Sequence, residues 1–231
     1  MFDRVARRYD LVNSLISVGL HRRWKRFAAA AARLPAGGLA LDVCAGTGDI
    51  AISLARRGGR AVALDFAPEM IAVGRRRTAE LAVRYVRADA LLLPFPDHAF
   101  DAATIGFSLR NVASRAQLFA EMARVVKPGG RVVSLETSQP PSRLVRAAYR
   151  LYLVIMMVLA GIISDGSAYR HLAGTIATFP PAQVIADEMT AAGLEEVTFR
   201  RFLLGTVVVH AGIVRTAGVP CVPEEGCEGR S

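Results

Sequence analysis

Asp42-Val-Cys-Ala-Gly46-Thr47-Gly48-Asp49 is the first stretch whose residue types point to ligand chemistry. Two glycines two apart let the backbone turn tightly and approach a ligand with no Cβ in the way. A dinucleotide site would add a third glycine, but Ser53 and its neighbours stand where it belongs. Asp65, in VALDF, is placed to accept both hydroxyls of a ribose, with Phe66 beside it. Asp89 stands at the height of an adenine amino group, with Ala90 next in line. Together these residues describe a nucleoside pocket that has no phosphate-binding machinery. S-adenosylmethionine matches that description, because it carries an adenosine, a sulfonium and an amino-acid tail but no pyrophosphate. Asp42 then serves the methionine ammonium or fixes the glycine loop. No metal is expected.

A second polar set lies in YDLVNSLISVGLHRRW, residues 9 to 24. Leu11, Leu15 and Val18 recur at helical spacing, as do Val12 and Ile16. Asp10, Asn13 and Ser17 make a polar stripe on the same helix, which His21 and Trp24 prolong if the helix passes Gly19. The stripe is either the wet side of an amphipathic helix or one wall of a reaction site.

The elements that must position these residues follow from periodicity. Residues 1 to 34 read as helical, up to Pro35-Ala-Gly-Gly. Strands are expected at 39–45, 60–66, 84–89, 99–107 and 131–137, with helices in ISLARRG, at 68–81 and at 115–126. Pro68 suits a first helical turn, and Lys127-Pro-Gly-Gly reads as a turn. This alternation implies a parallel sheet covered by helices on both faces, with its ligand crevice at the carboxyl ends of the strands. Residues 140 to 180 interrupt it as a helical cap. A helix at 181–192 and a hairpin of VTFRRFLLG and TVVVHAGIV complete a single domain over 1–214, and 215–231 form a mobile tail.

With 52% hydrophobic and 21% charged residues, the chain is globular. Its formal charge of +9 admits nucleic acid, anionic lipid or an anionic small substrate as partner. Cys44, Cys221 and Cys227 have no zinc spacing and no disulfide framework, which suits a reducing cytoplasm. The charged opening FDRVARRYD argues against a secretory leader. The apolar run LYLVIMMVLAGII, 151–163, is short of the ~20 residues of a spanning helix. It is expected to be buried, with an interfacial position as the second reading.

Several stretches resemble the menaquinone and ubiquinone C-methyltransferase family. Tyr9-Asp10, Asn13, Ser17, His21 and Trp24 match its N-terminal pattern, with Val12 where methionine is usual. The stretch from Arg124 to Ser138 matches its second signature, and LPFPDHAFD, SLRNV and YRHLAGTIATFP add to the similarity. The resemblance implies a Rossmann-like class I methyltransferase fold, α/β, with a seven-stranded mostly parallel sheet, an N-terminal helical lid and a helical cap. It implies cofactor contacts at Thr47, Asp65, Asp89 and Ala90. Gly106 replaces a common serine, so a hydroxyl contact there is lost or moves to Ser108; Ala173 and Thr175 also depart from the pattern.

The activity implied is S-adenosylmethionine-dependent methylation of a ring carbon in a prenylated quinol. Demethylmenaquinol is the first choice, and the 2-polyprenyl-6-methoxy-benzoquinol of ubiquinone synthesis the second. The ring must be made electron-rich and must later lose a proton. Arg110 is expected to hold the developing phenolate, with Tyr9 and Asn111 orienting the ring; Asp10, Asn13 and His21 complete the candidate set. Arg110 has an alternative, pairing with Asp101 or Glu136, and His21 could instead cap its helix. A prenylated substrate resides in a bilayer, so residues 143–163 could form a tail cleft or a membrane-facing lid on a cytoplasmic protein. The oligomeric state is left open, a dimer included. The competing readings are another small-molecule O- or N-methyltransferase, an RNA methyltransferase and a non-catalytic subunit of a quinone-synthesis complex. The nucleic-acid reading lacks the aromatic-plus-basic stacking surface that single strands require.

Overall fold

The computed structural model describes residues 19–163, 175 and 179–216. Among these, seven strands form one sheet in the order β3-β2-β1-β4-β5-β7-β6. The strands are β1 Leu39–Val43, β2 Arg60–Asp65, β3 Val83–Arg87, β4 Phe100–Gly106, β5 Val126–Thr137, β6 Leu194–Phe202 and β7 Val207–Val214. Pairings β1–β2, β1–β4, β2–β3 and β4–β5 are parallel, whereas β7 runs antiparallel to both β5 and β6. The expected mostly parallel seven-stranded α/β fold is the one observed.

Six helices accompany the described sheet: α1 His21–Ala31, α2 Asp49–Ala55, α3 Pro68–Arg77, α4 Arg115–Val125, α5 Arg143–Ile163 and α6 Ala182–Ala191. One core layer gathers Leu118, Phe119 and Met122 of α4 and Ile185 and Met189 of α6 against the sheet. On the other face, Trp24, Ala28 and Ala29 of α1 pack with Ile50, Ala51 and Leu54 of α2. Runs such as LALDV and AATI are apolar because they are covered from both sides.

Element boundaries differ from expectation where side chains or turns compete with periodicity. The N-terminal segment is not one continuous helix, since Gly19 takes a left-handed φ of 75° and α1 starts only at His21. Strand β1 ends at Val43, because Cys44 turns to a φ of 53° and opens the glycine loop. α3 stops at Arg77 rather than residue 81, where the Thr78 hydroxyl bonds back to the Gly74 carbonyl. Lys127-Pro-Gly-Gly does not separate two elements. It bulges within β5, whose pairing with β4 jumps from Phe100–Val126 to Ala102–Arg131. The run 151–163 belongs to the 21-residue α5 and is not uniformly buried. Leu153 is buried, but Leu151, Val154 and Ile155 are exposed. No helix among the described residues is long and apolar enough to cross a membrane.

Candidate active site

The carboxyl ends of β1, β2 and β4 open on a common crevice. Gly46 and Gly48 hold φ of 57° and 87°, so the chain after β1 folds into a compact loop before entering α2. The Asp65 carboxylate clasps this loop from β2, accepting from the Gly46 amide at 2.7 Å and the Ala67 amide at 2.9 Å. Each oxygen keeps a lone pair for a further donor, as ribose hydroxyls would require. Beneath the loop the Tyr85 ring is packed so closely that a Cβ at Gly48 or Gly74 would collide with it.

A cavity of about 260 Å³ lies beside the loop, walled by Cys44, Phe66, Asp89, Ala90, Leu91 and Asn111 among others. Asp89 accepts from the Leu91 amide at 2.9 Å. Phe66 is 68% exposed at the rim, with the Arg87 guanidinium 5.5 Å from its ring centre. Burial pushes the Cys44 thiol up to about 12, and the charges of Asp65, Asp42 and Asp89 add to the effect. That thiol therefore stays protonated and apolar, and the acidic side chains of Asp65 and Asp89 near it favour a cationic guest. Among the described residues, no lysine or arginine lines the cavity. A nucleoside that carries a sulfonium and no phosphate fits this wall; a pyrophosphate does not.

Of the two roles expected for Asp42, the structure shows the second, fixing the glycine loop, and neither Thr47 nor Gly106 offers an unengaged side-chain oxygen. Asp42 is 1% exposed and cannot meet a ligand ammonium. It accepts from the Ala51 amide at 3.0 Å and the Thr104 hydroxyl at 2.8 Å, anchoring the first turn of α2 and hence the loop. Burial pushes its carboxyl up to about 7 despite the Thr104 bond. Thr47 is buried, and its hydroxyl accepts from Arg77 Nη1 at 2.6 Å, so its oxygen is already engaged within the protein. Gly106 offers no hydroxyl, and a Cβ there would lie 2.6 Å from Ile50 Cδ1, so Ile50 fills the space a serine side chain would need. Ser108 turns its hydroxyl towards the Gly106 and Cys44 carbonyls, at 3.4 and 3.5 Å.

The loop is further tied down by residues with no evident signal in the sequence. Arg77 bonds the Thr47 carbonyl at 3.0 Å and Asp49 Oδ1 at 2.6 Å, while Lys25 of α1 reaches Asp49 Oδ2 at 2.8 Å. Burial opposes the charge on Asp49, but Lys25 and Arg77 hold its carboxyl down to about 2. Arg75-Arg76-Arg77 reads as a solvated basic run, and only the register of α3 singles out its last member.

On the acceptor side, Arg110 and Asn111 lie in a short 3₁₀ turn, Leu109–Asn111, just after β4. Asn111 lines the cavity. Arg110 does not stand alone. Its guanidinium pairs with the buried Glu136, which also accepts from the Thr137 amide at 2.7 Å. The alternative expected for Arg110, pairing with Glu136, is therefore the one observed, while Asp101 binds Lys127 instead. Arg110 Nε is buried with no acceptor among the described residues. Tyr149 of α5 feels the Arg110 and Glu136 charges, and burial pushes its phenol up to about 12. The alternation of Tyr149 and Tyr152 on a cap helix was the available signal for it.

His21 is 3% exposed at the start of α1, enclosed rather than open to an acceptor. Trp24, next but two, meets Phe107 edge-on at 6.4 Å and so docks α1 onto the segment that carries Arg110. Tyr9, Asp10 and Asn13 lie outside the described residues.

Strand order, the glycine loop and the acidic strand ends define a class I S-adenosylmethionine-dependent methyltransferase. The solved structures it resembles share that fold. A chain from the complex between the Haloferax volcanii Trm112 methyltransferase activator and a methyltransferase superposes with a TM-score of 0.71 at 16% identity, covering 94% of this chain and 98% of that one. A SAM-dependent methyltransferase from Thermotoga maritima gives 0.65 at 20% identity, with 92% and 97% coverage. The family model of the ubiE/COQ5 methyltransferase family matches residues 1–214, and the chain belongs to that family. It is 41% identical over 222 residues to the ubiquinone/menaquinone biosynthesis C-methyltransferase UbiE of Pseudomonas putida, covering 92% of this chain and 87% of the relative. The corresponding protein of Pseudomonas entomophila is 40% identical over the same coverage.

Proposed function

We propose that this chain transfers a methyl group from S-adenosylmethionine to a ring carbon of a prenylated quinol, with demethylmenaquinol as the first substrate and the ubiquinone precursor as the second. The observation that carries the acceptor side is Arg110. A guanidinium buried against Glu136, with Nε–H lacking an acceptor among the described residues, is a fixed donor next in sequence to Asn111 of the cavity wall. Bound S-adenosylmethionine supplies a methyl group already activated by its sulfonium. The protein's task is then to orient, to exclude water and to make the ring nucleophilic. Arg110 holds the ring oxygen in its anionic form, and a preformed donor that needs no reorganisation stabilises the charge as it develops. Asn111, on the cavity wall, sets the ring against the methyl position. Tyr9, Asp10 and Asn13 complete the set of residues assigned to the acceptor. The ring proton leaves to water.

Separation of donor and acceptor roles is supported by the geometry, since the loop ties of Asp42, Asp65 and Arg77 do not include Arg110. The basic charge and the exposed apolar residues of α5 support contact with the inner face of the cell membrane, where such a quinol resides. Incubation with S-adenosylmethionine and each reduced precursor in turn, followed by mass spectrometry, tests the reading. A singly methylated product from demethylmenaquinol is expected; no product from either quinol would defeat it.

A further inference from the structure

The turn between β6 and β7 presents two leucines in an unusual way. Leu203 and Leu204 both occupy the left-handed region, with φ of 45° and 56°. Branched residues rarely adopt that conformation, and such strain persists only where the surroundings enforce it. Here they do. The Leu203 carbonyl accepts from the Thr206 amide at 3.1 Å and the Thr206 hydroxyl at 3.0 Å. Gly205 is pressed against Pro141, where a Cβ would come within 2.9 Å of the proline ring, and the Ser138 amide bonds the Thr206 carbonyl. The result is a rigid tip whose side chains are turned outward, Leu203 51% and Leu204 77% exposed. Leu144, at the start of α5 just beyond Pro140 and Pro141, is 80% exposed.

The surroundings carry one sign of charge. No acidic residue occurs between Glu136 and Asp165, or between Glu196 and Glu224. Those segments contribute Arg143, Arg146 and Arg150, and Arg200 and Arg201. Among the described residues, none of Arg143, Arg200 and Arg201 forms an ion pair; Arg200 and Arg201 instead lie over the rings of Phe202 and Phe199, at 5.5 and 4.7 Å. Exposed leucines ringed by unpaired guanidiniums are complementary to an anionic lipid surface, apolar within and negative at the headgroups. The tip also faces the right way. Phe202 pairs with Val207 and Val207 with Thr137, so the turn projects from the same sheet edge as the carboxyl ends of β1, β2 and β4.

We infer that the β6–β7 turn is a lipid-inserting tip: Leu203 and Leu204, with Leu144, enter an anionic bilayer while Arg143, Arg200 and Arg201 hold its headgroups. A bilayer held there adjoins the mouth of the active site, and this orienting role rests on the quinol reading above. The lipid contact itself does not.

The test uses the full chain with vesicles of phosphatidylcholine, with and without phosphatidylglycerol. Leu203→Gly/Leu204→Gly removes the apolar side chains and relieves the backbone strain, so the fold is kept. The parent protein is expected to cosediment with the anionic vesicles in a salt-sensitive way, and the double variant to lose about tenfold in partitioning. A second probe, Leu204→Trp, should show a tryptophan quenched by brominated lipid. Equal partitioning of the parent and the double variant, or no binding of the parent, overturns the inference. Turnover separates the two readings. A double variant that still methylates a short-chain soluble quinol, but is slowed on the vesicle-borne one, supports both. A parent that binds vesicles but methylates no quinol leaves the tip intact and defeats the quinol assignment.

Discussion

Arg110 and Asp42 are both buried ionisable residues near one crevice, and their partners divide their roles. Glu136 accepts from Arg110 and from the Thr137 amide, so the carboxylate is committed and the guanidinium is fixed. Arg110→Met should lower kcat by about a hundredfold, the scale of one lost charge-stabilising donor, while leaving the Kd for S-adenosylmethionine within about twofold. Calorimetric titration beside steady-state kinetics separates the two effects. Asp42 answers to pH. Its folded pKa is raised to about 7 from 3.8 by burial, so its protonated form is the one the fold favours. Its contribution to stability is full below about pH 4 and is lost as pH rises towards 7. Melting temperature measured from pH 4 to 8 should therefore fall less steeply in Asp42→Asn than in the parent. Parallel curves would contradict the assignment. Asparagine can keep both contacts, accepting from Ala51 and donating to the Thr104 oxygen.

At the scale of elements, the glycine loop is held by parts far apart in the chain: Asp65 from β2, Arg77 from α3 and Lys25 from α1. Arg77→Met should raise KM for S-adenosylmethionine about tenfold and leave kcat at saturation nearly unchanged, since it frees the loop without touching the acceptor. Arg77→Lys should restore only part of the effect, because one ammonium cannot span Thr47 and Asp49. Gly48→Ala should destabilise by about 2–3 kcal/mol, from a left-handed φ and a collision with the Tyr85 hydroxyl. Adding Tyr85→Phe should recover part of that loss in thermal melts. These ties explain what could be read in advance. The strands and the two glycines were legible because short apolar runs buried on both faces and Cβ-free turns leave local marks. Arg77 was not, because its task depends on α3 ending at Thr78 and swinging the guanidinium over Thr47. Asp42 was legible as a site residue with two possible roles, and only the packing of α2 over it selects loop anchoring, since sequence reports a carboxylate at a strand end without reporting what seals it in.

For the whole molecule, the edge of the sheet that bears the crevice also bears the Leu203–Leu204 turn and the start of α5. Substrate, cofactor and membrane would thus meet at one edge, while α4 and α6 keep the opposite layer packed. Activity on vesicle-borne quinol should fall with rising salt as the arginine contacts are screened, whereas activity on a short-chain soluble quinol should change little. The quinol reading itself has the most direct measurement. The enzyme is incubated with S-adenosylmethionine carrying a deuterated methyl group and with reduced demethylmenaquinone, and the product is located by NMR. The account predicts the label on a ring carbon, with loss of the ring proton. Label on an oxygen, or none on the quinol, would contradict it.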